Sequence, residues 1–189
     1  MRNNSFISIL VFCFCSCKEA AHVRSTKDII IANALVVSSS GKAKLVEKKG
    51  IDSYVAYLIS DVSDTFFVEY GDRGIINSLY EPSPPIFPLS QKQGTIEKAG
   101  REPSANEVVF SEYPEEDREQ KIFDKNYFMY DTINRIVAKL VQPKRIGDGV
   151  TGLYIPILKD GKSFSIYAIN LDSSSHRRAL QMFRSLIYK

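Results

Sequence analysis

The sequence predicts an α+β fold in which helices flank an antiparallel β-sheet. Two observations predict it. Apolar runs of strand length recur along the chain, each bounded by Gly, Pro, Asp or Ser, which is typical of strands joined by turns. The last residues instead have the apolar spacing of an amphipathic helix, which we expect to pack on the sheet.

The start of the chain has the organisation of an export signal. A short cationic segment that contains Arg2 is followed by an apolar run over 6–14, and the small residue Ser16 precedes Cys17. This order predicts a signal peptide over residues 1–16. The apolar run is too short for a transmembrane helix, which needs about 20 residues.

The end of this segment, Phe14-Cys15-Ser16-Cys17, resembles the lipobox of bacterial lipoproteins. The resemblance implies that Cys17 becomes the lipidated first residue of the mature protein. It also implies a place in the cell envelope of a bacterium, at the outer membrane, facing the periplasm or the cell surface. Stricter lipoboxes carry Leu and a small residue at the positions of Phe14 and Cys15, so cleavage elsewhere without a lipid is the alternative.

Composition narrows the classes of function. All three cysteines, Cys13, Cys15 and Cys17, lie in the predicted signal, so the mature chain has none for a disulfide, a nucleophile or a thiolate metal site. The 25 basic and 22 acidic residues are interspersed, whereas nucleic-acid binders concentrate basic residues on one face. We expect no nucleic-acid partner, no cofactor and no metal site.

The N-terminal half of the mature chain is expected to contain a tether and a hairpin. Residues 17–27 are polar and aperiodic, which indicates a lipid-attached tether, and we expect one globular domain over 28–189. Residues 28–37 are ambiguous between strand and helix. Residues 54–59 and 65–70 predict a β-hairpin.

Residues 81–105 predict a long, Pro-rich surface loop. Four of the eight prolines fall near its start, and proline lacks the backbone donor that a central strand needs. Because long loops often carry function, the candidate partner-binding residues are Tyr80, Pro84, Pro85 and Phe87. The alternative is an extended cover over a sheet edge.

The C-terminal third has the clearest strand pattern. Strands are predicted over 127–130, 136–141, 153–158 and 163–169. Asp160-Gly161 between the last two is a strong hairpin signal, because it tolerates positive φ. Pro156 indicates an edge strand or a bulge.

Two helices are predicted around these strands. Pro114 and the acidic residues after it predict a short helix that ends near Lys125. The final helix is expected to begin at the N-cap hydroxyls of Ser173-Ser174-Ser175. Its apolar stripe consists of Ala179, Leu180, Phe183, Leu186 and Ile187.

No catalytic residue is expected, and the chain is not predicted to be an enzyme. Glu115 and Glu116 are adjacent on a helix and do not face each other. His176 lies beside a cap serine, where no triad forms. A hydrolase or small-ligand domain is the alternative, and it requires convergent carboxylates. The candidates are Asp61, Asp64, Asp72 and Asp131.

Four segments resemble the closing half of small exported PsbP-like domains. They are V-A-K-L-V (137–141), G-V-T-G-L-Y (149–154), S-F-S-I-Y (163–167) and A-L-Q-M-F-R-S-L (179–186). In outline the resemblance covers residues 50–188. It implies an antiparallel sheet with flanking helices and a non-enzymatic role, and it carries over no site residue.

The sequence therefore predicts a lipid-anchored protein-binding or assembly module of the cell envelope. Its expected partners are the membrane, through the N-terminal lipid, and a protein. A special case is an immunity protein that neutralises a toxin in the periplasm. The alternative is the carboxylate-based hydrolase or small-ligand-binding domain.

Replacing Cys17 tests the anchor. We expect Cys17→Ala to release the protein from the membrane fraction, because a chain without acyl groups loses the transfer free energy of about 0.8 kcal/mol per buried methylene. Intact-mass measurement of the wild-type membrane fraction should show acyl mass on a chain that begins at Cys17. Unchanged membrane association of the variant would contradict lipidation.

Overall fold

The structure is a computed structural model that describes residues 26–80, 84–105 and 107–189. The predicted signal peptide, Cys17 and nearly all of the predicted tether lie outside the described residues. Among the helices of the described ranges, none combines the length and the apolar character needed to cross a membrane.

The elements follow one another as strands with three helices between them. The strands are β1 (Thr26–Ile31), β2 (Leu35–Ser40), β3 (Lys44–Lys48), β4 (Ser53–Ile59), β5 (Thr65–Gly71), β6 (Ile86–Pro88), β7 (Val109–Ser111), β8 (Asn126–Ile133), β9 (Ile136–Pro143), β10 (Val150–Ile155), β11 (Ser163–Ile169) and β12 (Ile187–Tyr188). The helices are α1 (Lys92–Ala99), α2 (Pro114–Glu119) and α3 (Ser173–Arg184), and a 3-10 turn, Leu89–Gln91, precedes α1.

Seven strands form one antiparallel sheet, the main sheet, in the order β3-β4-β5-β11-β10-β9-β8. Both predicted hairpins are confirmed, since β4 pairs with β5 and β10 with β11. Asn134 and Arg135, between β8 and β9, have positive φ of 47° and 70°. Two positive φ values are typical of the type I′ turn, whose twist matches that of the strands.

A second antiparallel sheet, the small sheet, has the order β1-β2-β12 and so pairs the first and last described strands with the same neighbour. It covers one face of the main sheet together with α3, and the hydrophobic core lies between these layers. Fully buried core side chains include Ile31, Leu35, Val37, Leu58, Val68, Leu153, Phe164, Ile166 and Phe183. The chain therefore has a mixed α+β fold.

The N-cap of α3 differs from the prediction. Asp172, rather than a serine hydroxyl, accepts hydrogen bonds from the backbone N–H groups of Ser174 and Ser175, both at 2.8 Å. These bonds lower the pKa of Asp172. The negative charge of the carboxylate is favourable at the positive end of a helix, which suits Asp172 to the cap position.

The prediction of a long loop over 81–105 is wrong for most of the residues that the structure describes there. Residues 86–99 form β6, the 3-10 turn and α1, and only the flanking residues lack helix or strand. Strand β6 pairs in parallel with β7, and α2 packs against both strands. We call residues 84–105 and 107–119 the lobe. A short two-stranded sheet tolerates prolines at its ends, such as Pro88, and α1 contains none.

Other elements also differ from the sequence expectation. Residues 28–37 belong to two strands, β1 and β2, joined by a turn at 32–34. Helix α2 ends at Glu119 rather than near Lys125. Strand β10 ends at Ile155, so Pro156 lies just beyond it, where no ladder hydrogen bond is lost.

The face of the main sheet that points away from the core is partly covered by the chain after β5. Ile76 and Leu79 are buried there. A Cβ atom on Gly152 would lie 2.5 Å from Leu79 Cδ1, so only glycine lets this side chain pack against β10. The N–H of Asn77 donates to Glu69 Oε2 at 2.8 Å and fixes the covering segment.

Truncation of Phe183 tests the role of α3. The side chain is fully buried against the main sheet, with its ring 6.5 Å from that of Phe66. We expect Phe183→Ala to lower the free energy of unfolding by about 3–5 kcal/mol, because it removes buried apolar area and leaves a cavity. Chemical denaturation measures the change.

The matched control is Gln181→Ala, an exposed position on the same helix. We expect it to change the free energy of unfolding by less than about 0.5 kcal/mol. Equal effects of the two substitutions would contradict the packing of α3 described above.

Candidate functional site

A cleft of about 630 Å³ lies between the lobe and the chain that enters β8. Its apolar lining consists of Pro84, Leu89, Pro103, Ala105, Val108, Val109, Phe110, Phe123 and Phe128. Its polar lining consists of Lys92, Glu102, Asp124, Lys125 and Asn126. A mostly apolar cavity of about 300–1,000 Å³ with a few polar groups is typical of a binding site.

One wall of the cleft is a loop held by a carboxylate. Glu107 accepts hydrogen bonds from Arg101 Nη1 and Nη2 at 2.9 and 2.6 Å. It also accepts from the N–H and the hydroxyl of Ser104 at 2.9 and 3.0 Å. The loop thereby places Pro103 and Ala105 on the wall, and the bonds from Arg101 and Ser104 lower the pKa of Glu107 to about 2.

Both lysines that line the cleft are paired with carboxylates. Lys92 Nζ lies 2.7 Å from Glu102 Oε1, and Lys125 Nζ lies 3.4 Å from Asp148 Oδ1. Such exposed pairs contribute little to stability. They do leave the rim nearly neutral, so a charged occupant of the apolar cleft would lose hydration without gaining a partner.

The floor of the cleft is fixed by a buried amide. Asn126 Oδ1 accepts a hydrogen bond from the N–H of Val150 at 2.8 Å, which ties the start of β8 to β10. A Cβ atom on Gly149, where φ is 135°, would lie 2.6 Å from the same oxygen. Sequence reasoning missed Asn126, and the signal that could have found it is Gly149, whose backbone lies against the amide.

The aromatic floor continues from Phe128 along the outward face of the main sheet. Lys139 Nζ lies 5.5 Å from the ring centroid of Phe128 and 5.5 Å from that of Tyr154. These distances allow cation–π attraction. Burial among the rings lowers the pKa of Lys139, because a low-dielectric environment disfavours the charged ammonium group.

The predicted partner-binding residues divide between the cleft and its surroundings. Pro84 lines the cleft, whereas Tyr80, Pro85 and Phe87 do not. Tyr80 is 74% exposed, and Pro85 and Phe87 are also exposed. The structure thus brings one of the four residues into the cavity and leaves three on the surface.

The four candidate carboxylates do not converge. Asp61 and Asp64 lie in the turn between β4 and β5, where Asp64 Oδ2 is 3.7 Å from Arg178 Nη2. Asp72 lies beyond the opposite end of β5 and pairs with Lys162, and Asp131 lies on the edge strand β8. Within the described ranges, no group of three or more His, Cys, Asp or Glu residues could hold a metal ion.

His176 joins α3 to the main sheet. Its Nδ1 lies 2.8 Å from the hydroxyl of Thr151, and both residues are buried. Burial lowers the pKa of His176. The neighbouring Ser175 accepts a hydrogen bond from Arg178 at 2.8 Å. Sequence reasoning missed the Thr151 contact because the two residues are distant in the chain.

Comparisons of the chain with protein families, with curated proteins and with solved structures find no significant match.

Titration of Glu107 tests the wall of the cleft. We expect the carboxyl group to titrate with a midpoint near 2 by NMR in the folded protein. Because this pKa is below the unfolded value of about 4.3, the bonds stabilise the loop above that pH and are lost as the pH falls towards 2.

Arg101→Ala is the matched variant. We expect it to move the midpoint of Glu107 upward, because the guanidinium group is the largest cause of the lowered pKa. A wild-type midpoint at the ordinary value for glutamate would contradict the hydrogen bonding of this loop.

Proposed function

We propose that the protein is a lipid-anchored, non-enzymatic binding or assembly module of the bacterial cell envelope, and that it binds a protein partner in the cleft. The observation that carries the proposal is the apolar lining of the cleft beneath a rim whose charges are paired. A cavity of this kind favours an uncharged, apolar segment of a partner.

The exposed residues around the cleft add contact area for the same partner. Pro85 and Phe87 follow Pro84, which lines the cleft, at the start of the lobe, and Tyr80 is exposed before it. Aromatic residues contribute much of the energy at protein interfaces. We therefore expect the predicted partner-binding residues to add contact area to the interface.

The anchor at Cys17 supports this function by proximity. A lipidated chain stays at the membrane, so the domain meets partners there at a raised effective concentration. We place the protein at the outer membrane, facing the periplasm or the cell surface. The finer fold assignment, a PsbP-like domain, and the special case of an immunity protein belong to the same proposal.

A small-ligand-binding domain is the second candidate. The volume of the cleft, about 630 Å³, lies within the range of small-molecule sites. The carboxylate-based hydrolase has less support, because Asp72 and Asp131 lie far from the turn that holds Asp61 and Asp64.

A charge placed in the cleft tests the proposal. Leu89 lines the cleft and is 46% exposed, so Leu89→Asp should leave the fold intact. It introduces an unpaired carboxylate where an apolar segment is expected to bind. We expect the variant to lose, by about tenfold or more, the protein that crosslinks to the wild type in solubilised membranes.

Ile51→Asp is the matched control, because Ile51 is 99% exposed between β3 and β4, at the other edge of the main sheet. It should retain the crosslinked protein. Capture that is equal with both variants would contradict binding in the cleft, and saturable binding of a small apolar dye alone would favour the second candidate.

A further inference from the structure

Strand β8 is an edge of the main sheet, because β9 is its only neighbour among the described strands. The pattern of its ladder follows from one hydrogen bond. The N–H of Lys144 donates to the carbonyl of Lys125 at 2.8 Å, in the register in which Asn126 lies opposite Pro143. Lys125 and Lys144 are therefore a hydrogen-bonded pair.

Hydrogen-bonded pairs alternate along an antiparallel ladder. The odd-numbered residues of β8 consequently point their N–H and C=O groups towards β9. The even-numbered residues, among them Phe128, Tyr130 and Thr132, point theirs away from the sheet. The N–H of Thr132 is covered by Asp131 Oδ1 at 2.7 Å, whereas those of Phe128 and Tyr130 face outward along the free edge.

The side chains of this edge offer little protection against a second strand. Natural sheets guard their edges with charged residues or proline. The opposite edge strand, β3, has three charged residues among five, namely Lys44, Glu47 and Lys48. Strand β8 has one among eight, Asp131, and Tyr130 is 74% exposed.

The free edge is continuous with the cleft. Phe128 lines the cleft and carries the first of the outward backbone groups named above. A chain segment that lies in the cleft therefore reaches the open edge of β8 directly. Lys92 and Lys125 at the rim each have a carboxylate partner. The rim therefore suits an uncharged segment, which needs no opposite charge from it.

We propose that β8 is a strand-addition site: an extended, uncharged segment of the partner pairs with the backbone of Phe128 and Tyr130 and places its apolar side chains in the cleft. Main-chain hydrogen bonds supply affinity in this mode of recognition, and pockets for alternate side chains supply specificity. The inference rests on the proposed function and adds the conformation and the chemistry of the bound segment.

A display library of random peptides eight residues long, the length of β8, provides the probe. Selection on the wild-type protein should enrich uncharged sequences with apolar residues at every second position. In a strand such residues share one face, which is the face that would enter the cleft. Enrichment of apolar residues at helical spacing, or no enrichment, would overturn strand addition.

Tyr130→Pro and Tyr130→Ala separate the backbone from the side chain. Proline removes the outward N–H, and the ladder to β9 stays intact because that N–H does not face β9. We expect about tenfold weaker binding of an enriched peptide to Tyr130→Pro and less than about threefold to Tyr130→Ala. Equal affinities of the two variants would overturn the proposal.

N-methylation of the enriched peptide gives a readout on the unaltered protein, which covers the case in which Tyr130→Pro unfolds. Methyl groups at alternate amides should abolish binding, and those at the amides between them should not. Uniform tolerance would overturn strand addition.

Leu89→Asp distinguishes failure of this inference from failure of the proposed function. Loss of peptide binding by Leu89→Asp, together with indifference to Tyr130→Pro and to N-methylation, would keep binding in the cleft and overturn strand addition. Unchanged binding by Leu89→Asp would count against the cleft itself.

Discussion

The packing of α3 and the small sheet on one face of the main sheet is the constraint on which the rest of the structure depends. Phe183 is fully buried there, and the first and last described strands close the packing, since β1 and β12 both pair with β2. Two side-chain contacts fix this closure. The N–H of Ser38 donates to Ser185 Oγ at 2.7 Å, and Asn134 donates to the carbonyl of Leu186 at 2.7 Å.

This arrangement determines which surfaces are left for binding. One face of the main sheet is committed to the core, and the segment after β5 covers part of the other face with Ile76 and Leu79. The lobe adds a cavity beside Phe128, at the edge that carries few charges. The cleft and the free edge of β8 thus meet at Phe128.

The elements that the sequence predicted well are those with local determinants. The hairpin across Asp160-Gly161 needs only a turn that accepts positive φ, and Gly161 has a φ of 81°. The strand pairs and the final helix follow from apolar periodicity in the same way. The stripe was wrong at its end, because α3 ends at Arg184 and Ile187 lies in β12, where it is exposed. Lipidation at Cys17 and the function of the protein remain predictions, since the described residues begin after the anchor.

The cleft could not be predicted, because its walls come from separate parts of the chain. Pro84 is a candidate because its segment is rich in proline, and it does line the cavity. The sequence around Asn126 and Phe128, in contrast, contains no signal of the distant residues that they contact. The sequence did not predict the lobe, because clustered prolines indicate only that no central strand is present. They give no information about the helix that follows them. The capping carboxylate of Asp172 was missed because hydroxyls follow it directly.

The pairing of β12 with β2 has a consequence for the time at which the protein folds. A chain that leaves the ribosome or a membrane channel with its N-terminus first exposes β2 early, but the strand and the helix that complete the core arrive last. At the centre of the main sheet, β5 pairs with β11, as in Val68 opposite Ile166. Distant pairings of this kind form slowly, so we expect the core to close only after α3 and β12 have joined the earlier strands.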